Sequence, residues 1–249
     1  ITRPLIGYSL NDQELRHFKL EDYPEFETFE IRNSSEARQN IKKILDRIKK
    51  PLGGIPASLH SGLGLIFSCE RHGCPEFKEA EMAIFRADII AAKIIGVDRI
   101  NFHIDKRVYD KEEKELFRKL IDFSNEKGIK LIVESNTFSR GEYILDFLET
   151  FPEVNYCLDF GHLNTSLQNN FLEMPLEEFL DRIAKRTIHI HAHNNFGKDD
   201  EHAPLDKGNF PYKLALEKLT NVERIICENR TKEDALKTKE VLEEFYHNN

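Results

Sequence analysis

The feature that most constrains this 249-residue chain is an eightfold alternation of short apolar runs with charged, amphipathic segments. The runs lie at 5–10 (LIGYSL), 26–32 (FETFEIR), 55–61 (IPASLHS), 98–104 (DRINFHI), 130–135 (KLIVES), 154–160 (VNYCLDF), 186–193 (RTIHIHAH) and 223–229 (ERIICEN). Each is rich in β-branched or aromatic residues and closed by polar or turn residues, which predicts strands. Helical periodicity fills the gaps. Phe85, Ile89 and Ala92 recur at i, i+4, i+7 within 75–95, and Gly96 suits the stop. Phe117, Leu120, Ile121 and Ser124 share one face within 111–127, closed by Gly128; Thr238, Val241, Leu242 and Phe245 repeat the pattern within 232–246. Shorter helices are expected over 34–48, 140–149, 175–184 and 210–219, with an irregular first crossover around 11–25. Eight strand–helix units at this length predict a single (β/α)8 TIM barrel over residues 1–249 rather than an open sheet.

Composition narrows the partners. Asp+Glu is 44 against 36 Lys+Arg, and the net charge of -8 disfavours a basic nucleic-acid binder. Cys69, Cys74, Cys157 and Cys227 have neither CxxC spacing nor a disulfide-scaffold pattern, and are read as reduced thiols of a cytoplasmic protein. No apolar run reaches the roughly 18 residues of a membrane span, and no signal-peptide pattern is read at the N-terminus. Ser61-Gly62-Leu63-Gly64 reads as loop, and the segments 61–76 and 194–209 are the longest expected rim loops.

The ten His are not scattered. In a barrel of this class the active site sits at the C-terminal ends of the strands. His60 and His103 close the third and fourth strands, Glu134 the fifth, Asp159 and then His162 the sixth, His191 and His193 the seventh, and Glu228 the eighth. The loop after the seventh strand adds Asp200-Glu201-His202. Strand alternation puts His189, His191 and His193 on one face, pointing inward from deepest to lip, and Ile188, Ile190 and Ala192 on the face that packs on helices. Tyr8 and Glu30 are candidate pocket-lining residues. Several buried carboxylates placed together repel one another, and a divalent cation removes that cost while organising neutral imidazoles as ligands. Mixed imidazole and carboxylate donors suit Zn2+, Mn2+, Fe2+ or Co2+ better than Ca2+ or Mg2+.

The motifs SLH (58–60), NFH (101–103), VES (133–135), LDFGH (158–162), HAHNN (191–195), DEH (200–202) and CEN (227–229) together resemble the xylose isomerase-like TIM barrels, a group of sugar isomerases and epimerases that also holds the endonuclease IV family. The resemblance runs over roughly residues 5–229. Its epimerase branch implies one metal held by Glu134, Asp159, His191 and Glu228. Its endonuclease branch implies three zinc ions on nine ligands: those four together with His60, His103, His162, Asp200 and His202. The cofactor expected is therefore zinc or manganese, one to three ions per chain.

Two departures favour the epimerase branch. Leu63 stands where the endonuclease branch has a DNA-probing aromatic residue, and Glu201 where it has a phosphate-facing Arg. Asn194 stands where many relatives have Asp. The expectation is a metal-dependent isomerase or epimerase of a small carbohydrate, free or phosphorylated, working through an ene-diolate. Glu134 and Glu228 would carry the proton, His162 and His193 would position hydroxyls, and Lys207 would meet a phosphate. The alternative is a trinuclear-zinc phosphodiesterase acting on abasic sites. The sequence leaves homo-oligomerisation open.

Overall fold

A computed structural model describes residues 3–32, 54–65, 75–104, 109–137 and 139–248. The helix expected over 34–48, together with Cys69, His72 and Cys74, lies outside the described residues. Eight parallel strands close into a barrel in chain order: β1 (Leu5–Leu10), β2 (Thr28–Arg32), β3 (Ala57–Leu65), β4 (Arg99–Ile104), β5 (Lys130–Ser135), β6 (Asn155–Asp159), β7 (Thr187–Ala192) and β8 (Arg224–Cys227). The expected single (β/α)8 architecture is the one observed.

The described helices are α1 (Asp12–His17), α2 (Pro75–Ile95), α3 (Lys111–Lys127), α4 (Gly141–Thr150), α5 (Phe160–Gln168), α6 (Leu176–Ile183), α7 (Tyr212–Lys218) and α8 (Lys232–His247). Local chemistry sets their ends. Asp110 accepts from Glu113 N while the Glu113 side chain returns to Asp110 N, a capping box that starts α3. Gly128 ends it in the left-handed conformation, with φ of 69°. Thr231 caps α8 by accepting from Asp234 N.

Strand alternation sorts the side chains. Phe29, Ile31, Leu59, Ile100, Phe102, Val133 and Leu158 belong to the apolar layer between strands and helices. The opposite parity turns Glu30, Ser58, His60, Asn101, Glu134 and Asp159 inward. The barrel floor is polar: buried Arg99 meets Asp98 at 3.0 Å and Glu223 at 2.5 Å, and Arg224 donates to the Ala57 carbonyl at 2.8 Å.

Four expectations change. Ser61–Gly64 is strand, not loop; β3 runs on to Leu65 through a register shift against β4 between His60 and Leu65. Glycines in a strand commonly mark such a bulge. Residues 160–162, read as strand and turn, open α5 directly from β6. Ile188 leaves the helix-facing layer and clusters with Ile132 and Cys157, at a register shift between β6 and β7. One extra residue in a ladder reverses which face a side chain takes. Tyr8 turns to the helix layer, where it stacks on Tyr23 and Phe26 and its hydroxyl reaches Glu14.

Candidate metal centre

The strand ends and the segments that follow them bring all nine candidate ligands to one rim. Glu134 from β5 is at its centre. Its Oε2 lies 3.3 Å from His191 Nδ1, 3.5 Å from His60 Nε2 and 3.9 Å from His103 Nε2, and its Oε1 lies 3.2 Å from His162 Nδ1. Asn101, on β4, donates to the same Oε2 at 2.5 Å. From the other side Glu228, just past β8, places Oε2 3.1 Å from His191 Nδ1, and Asp159 places Oδ2 at 3.6 Å. Three carboxylates therefore face one imidazole nitrogen.

Asp159 has two tasks at one position. It is the N-cap of α5, its Oδ1 accepting from His162 N at 2.7 Å, while Oδ2 faces the cluster. The abrupt passage from β6 into α5 thus fixes the carboxylate and presents His162 on the first helical turn. His202 stands on the loop after β7 with φ of 53°, a left-handed conformation uncommon for a residue with a Cβ. Its Nδ1 lies 2.6 Å from the Glu228 carbonyl, and its Nε2 lies 3.0 Å from Asp200 Oδ2.

Three imidazoles share one arrangement. Nδ1 of His60, His162 and His202 faces a backbone carbonyl, of Ser61 at 3.1 Å, Ser135 at 3.0 Å and Glu228 at 2.6 Å. A proton on Nδ1 leaves the Nε2 lone pair to the cluster, the tautomer a metal ligand requires. His191 is turned the other way. Its Nε2 lies 2.8 Å from Glu30 Oε1, and its Nδ1, buried and without a hydrogen-bond partner, faces the three carboxylates. Glu30 is itself fully buried, accepts from Ser58 Oγ at 2.9 Å and lies 3.3 Å from His189 Nε2.

These groups fit a divalent ion. Bonds of about 2.1 Å set neighbouring ligand atoms roughly 3–3.5 Å apart in a tetrahedral shell, close to the spacings of His191 Nδ1 from its carboxylates. Ligand atoms within 4.8 Å of one another form the groups Glu134–Asp159–His191, His60–His103–Glu134 and His193–Asp200–His202, among others. Glu134 belongs to the first two of these groups.

Burial and charge compete throughout. Burial opposes ionisation of Glu134, but the surrounding imidazoles, His103 and His191 first, hold its carboxyl well below the usual range. Asp159 follows the same balance through His162 and His193. Burial pushes His103 down to about 4. Burial is outweighed by Asp159, Asp200 and Glu134 at His162, and by Cys157 with Glu30, Glu134 and Asp159 at His191, and both hold a proton well above the usual range.

The mouth above this cluster has two lobes. One, of about 380 Å³, is floored by His60, His103, Glu134 and His162; the other, of about 410 Å³, is lined by Ser9, Asn11, Asn229 and Arg230. Arg32, Asp200, His202 and Glu228 border both. His193 is fully buried rather than at the lip: its Nε2 lies 3.0 Å from Asp159 Oδ2 and its ring stacks on His202. Lys207 is 69% exposed, lies 3.4 Å from Asp206 and borders neither lobe. Glu201 turns its carboxylate to Phe196 N at 3.1 Å, away from the mouth. Asn194 clasps its own loop, donating to the Leu205 carbonyl and accepting from Asn195 N and Phe210 N. Cys157 is buried beside His189 and His191, while Cys227 packs in the helix-facing core.

Sequence reasoning passes over Arg32, whose guanidinium pairs with Glu228. The signal is present: Glu30 and Arg32 have the same parity on β2, and Glu30 is a pocket candidate from the sequence alone.

Fold and rim together define a (β/α)8 barrel with an imidazole–carboxylate cluster at the C-terminal ends of its strands. The profile of the xylose isomerase-like TIM barrel family matches residues 16–245, and the chain belongs to that family. It is 34% identical over 137 residues to the uncharacterized protein MJ1311 of Methanocaldococcus jannaschii; the match covers 51% of this chain and 45% of that protein. The chain thus spans about half the length of this curated relative. Among solved structures it resembles a D-tagatose 3-epimerase-like protein (21% identity, TM-score 0.74, covering 98% of this chain and 97% of the other). It also resembles the TTHB071 protein from Thermus thermophilus soaked with ZnCl2 (16%, 0.77, 98% of each chain). Endonuclease IV from the same organism is similar too (19%, 0.66, covering 99% of this chain and 100% of the other). These likenesses establish the barrel. Among the described residues no helix is long and apolar enough to cross a membrane.

Proposed function

We propose that the chain is a divalent-metal-dependent isomerase or epimerase of a small carbohydrate, working through an ene-diolate. One observation carries the reading. Glu134 and Glu228 reach the same imidazole nitrogen, at 3.3 and 3.1 Å, from strands on different sides of the barrel. A bound hydroxy-ketone would lie between two carboxylates able to approach it from two faces. Epimerase neighbours of the same fold support it.

Glu134, Asp159, His191 and Glu228 would hold the ion, zinc or manganese, which when bound polarises the substrate carbonyl and acidifies the adjacent C–H. One glutamate removes the proton from carbon and the other returns it; use of both faces inverts the centre, and use of one face moves the carbonyl. His162, which lines the lobe with His60, His103 and Glu134, positions a hydroxyl. His193, enclosed against Asp159, acts as a positioning residue and does not touch substrate. Asn101 holds Glu134 in place from below. Glu134, Asp159 and His191 are buried, which strengthens each of these polar interactions.

A second reading is favoured by one observation: His60–His103–Glu134 and His193–Asp200–His202 are further groups that could each hold an ion, and Glu134 is shared between two groups. Three zinc ions there would suit phosphodiester hydrolysis. The test is a pair of assays on the metal-loaded chain. Solvent deuterium is expected to enter ketoses at the carbon beside the carbonyl, with loss of exchange on chelation. Metal-dependent nicking of abasic-site DNA, with no exchange into any ketose, would replace the first reading by the second.

A further inference from the structure

We infer that Arg32 and Arg230 form an anion subsite beside the cluster, and that the substrate is a small polyol bearing a phosphate or carboxylate. The inference rests on the proposed function and names the substrate class for the same site. Its starting point is the uneven charge of the mouth. Among the described residues, the lobe over His60, His103, Glu134 and His162 is bordered by imidazoles and acidic groups, with Arg32 as its one cation. The second lobe, of about 410 Å³, sets two guanidinium groups, with Ser9 and Asn11, against the carboxylates of Asp200 and Glu228.

Topology explains the convergence. β1 pairs with β2 on one side and β8 on the other. Arg32 ends β2 and Arg230 follows β8, so the two side chains flank the C-terminal end of β1, where Ser9 and Asn11 stand. Both arginines are held at the cluster's border. Arg32 donates from Nε to Ser9 Oγ at 3.2 Å and pairs with Glu228; Arg230 donates to the Asp200 carbonyl at 3.2 Å. A planar guanidinium fork matches the oxygens of phosphate and carboxylate in a way that a neutral hydroxyl does not use.

Charge balance gives the subsite its condition. Glu228 is the counter-ion of Arg32 and also a proposed metal ligand. Once a divalent ion shares the charge of Glu228, the positive charge of Arg32 is left facing the lobe, and a substrate anion completes the balance. A substrate seated over the cluster is next to this lobe, because Arg32, Asp200, His202 and Glu228 border both. The phosphate contact expected of Lys207 therefore moves to the arginines.

Calorimetric titration of the zinc-loaded full chain tests this with inorganic phosphate, D-ribulose 5-phosphate and D-ribulose, on the parent and on Arg32→Gln and Arg230→Gln. Zinc content is measured in each protein. The phosphorylated ketose should bind at least about tenfold tighter than the neutral one, and each variant should lose roughly tenfold in that ratio at unchanged zinc content, the scale of a lost charge-assisted contact. Equal binding of the two ketoses, or phosphate binding indifferent to both substitutions, overturns the subsite while leaving a metal-dependent sugar enzyme standing. Arginine-dependent phosphate binding together with nicking of abasic-site DNA upholds the subsite and overturns the isomerase reading instead.

Discussion

Glu30 shows what a single buried side chain contributes here. It is fully enclosed, 2.8 Å from His191 Nε2 and tied to Ser58. A carboxylate on one imidazole nitrogen orients the ring and directs the other nitrogen to a metal; losing such a partner typically costs about 10–100-fold in metal affinity. Glu30→Gln keeps the shape and removes the charge. Chelator competition should show metal binding weakened by about that factor, with the far-ultraviolet dichroism unchanged; unaltered affinity would remove Glu30 from the centre. Glu228→Gln belongs to the same scale. It should lower metal-dependent deuterium exchange at least about 10²-fold, measured by proton NMR, because a carboxamide cannot accept the proton.

At the scale of elements, Asp159 joins a helix to the cluster. Asp159→Asn retains an oxygen that can accept from His162 N, so α5 keeps its cap, whereas Asp159→Ala loses it. Both should abolish tight metal binding. In the metal-free proteins the alanine variant should be less stable than the asparagine variant by about 1 kcal/mol in urea unfolding. Equal stabilities would mean that the cap contributes nothing. Asp159 also shows how far the sequence can be read. Residue type and strand-end position bring it to the rim, but the onset of a helix at Phe160 is hidden, because LDF continues an apolar strand pattern. Strand period two places His191 and Glu134 correctly, since alternation is a local property. It fails at Ile188 and at Ser61–Gly64, where a register shift, set by the neighbouring strand, decides the face or extends the ladder. Arg32 needs the same parity argument that serves Glu30. The burial of His193 is not legible, because it depends on how the loop folds His202 over it.

For the whole molecule, the proposed metal would couple the cluster's protons to stability. His191, the proposed ligand, and its neighbour His162 hold protons above the usual histidine range when no metal is present; ligation requires the neutral His191 ring, and a charged His162 opposes the cation. The sign follows: metal affinity rises with pH through those raised values and falls as the solution is acidified. Binding should release protons, which titration in buffers of different ionisation enthalpy will register; an affinity flat with pH would contradict it. Bound metal also favours the folded state by mass action, about 2.7 kcal/mol at a hundredfold excess over Kd. Chelation should therefore lower the melting temperature by roughly 5–10 °C in a chain of this size.

The central claim is that Glu134, Asp159, His191 and Glu228 hold one ion for proton transfer, with the outer imidazoles serving orientation and substrate. Native mass spectrometry after zinc loading and exhaustive dialysis tests it most directly. One ion retained per chain, and none in the Asp159→Asn variant, is the predicted result. Three ions retained per chain would contradict it.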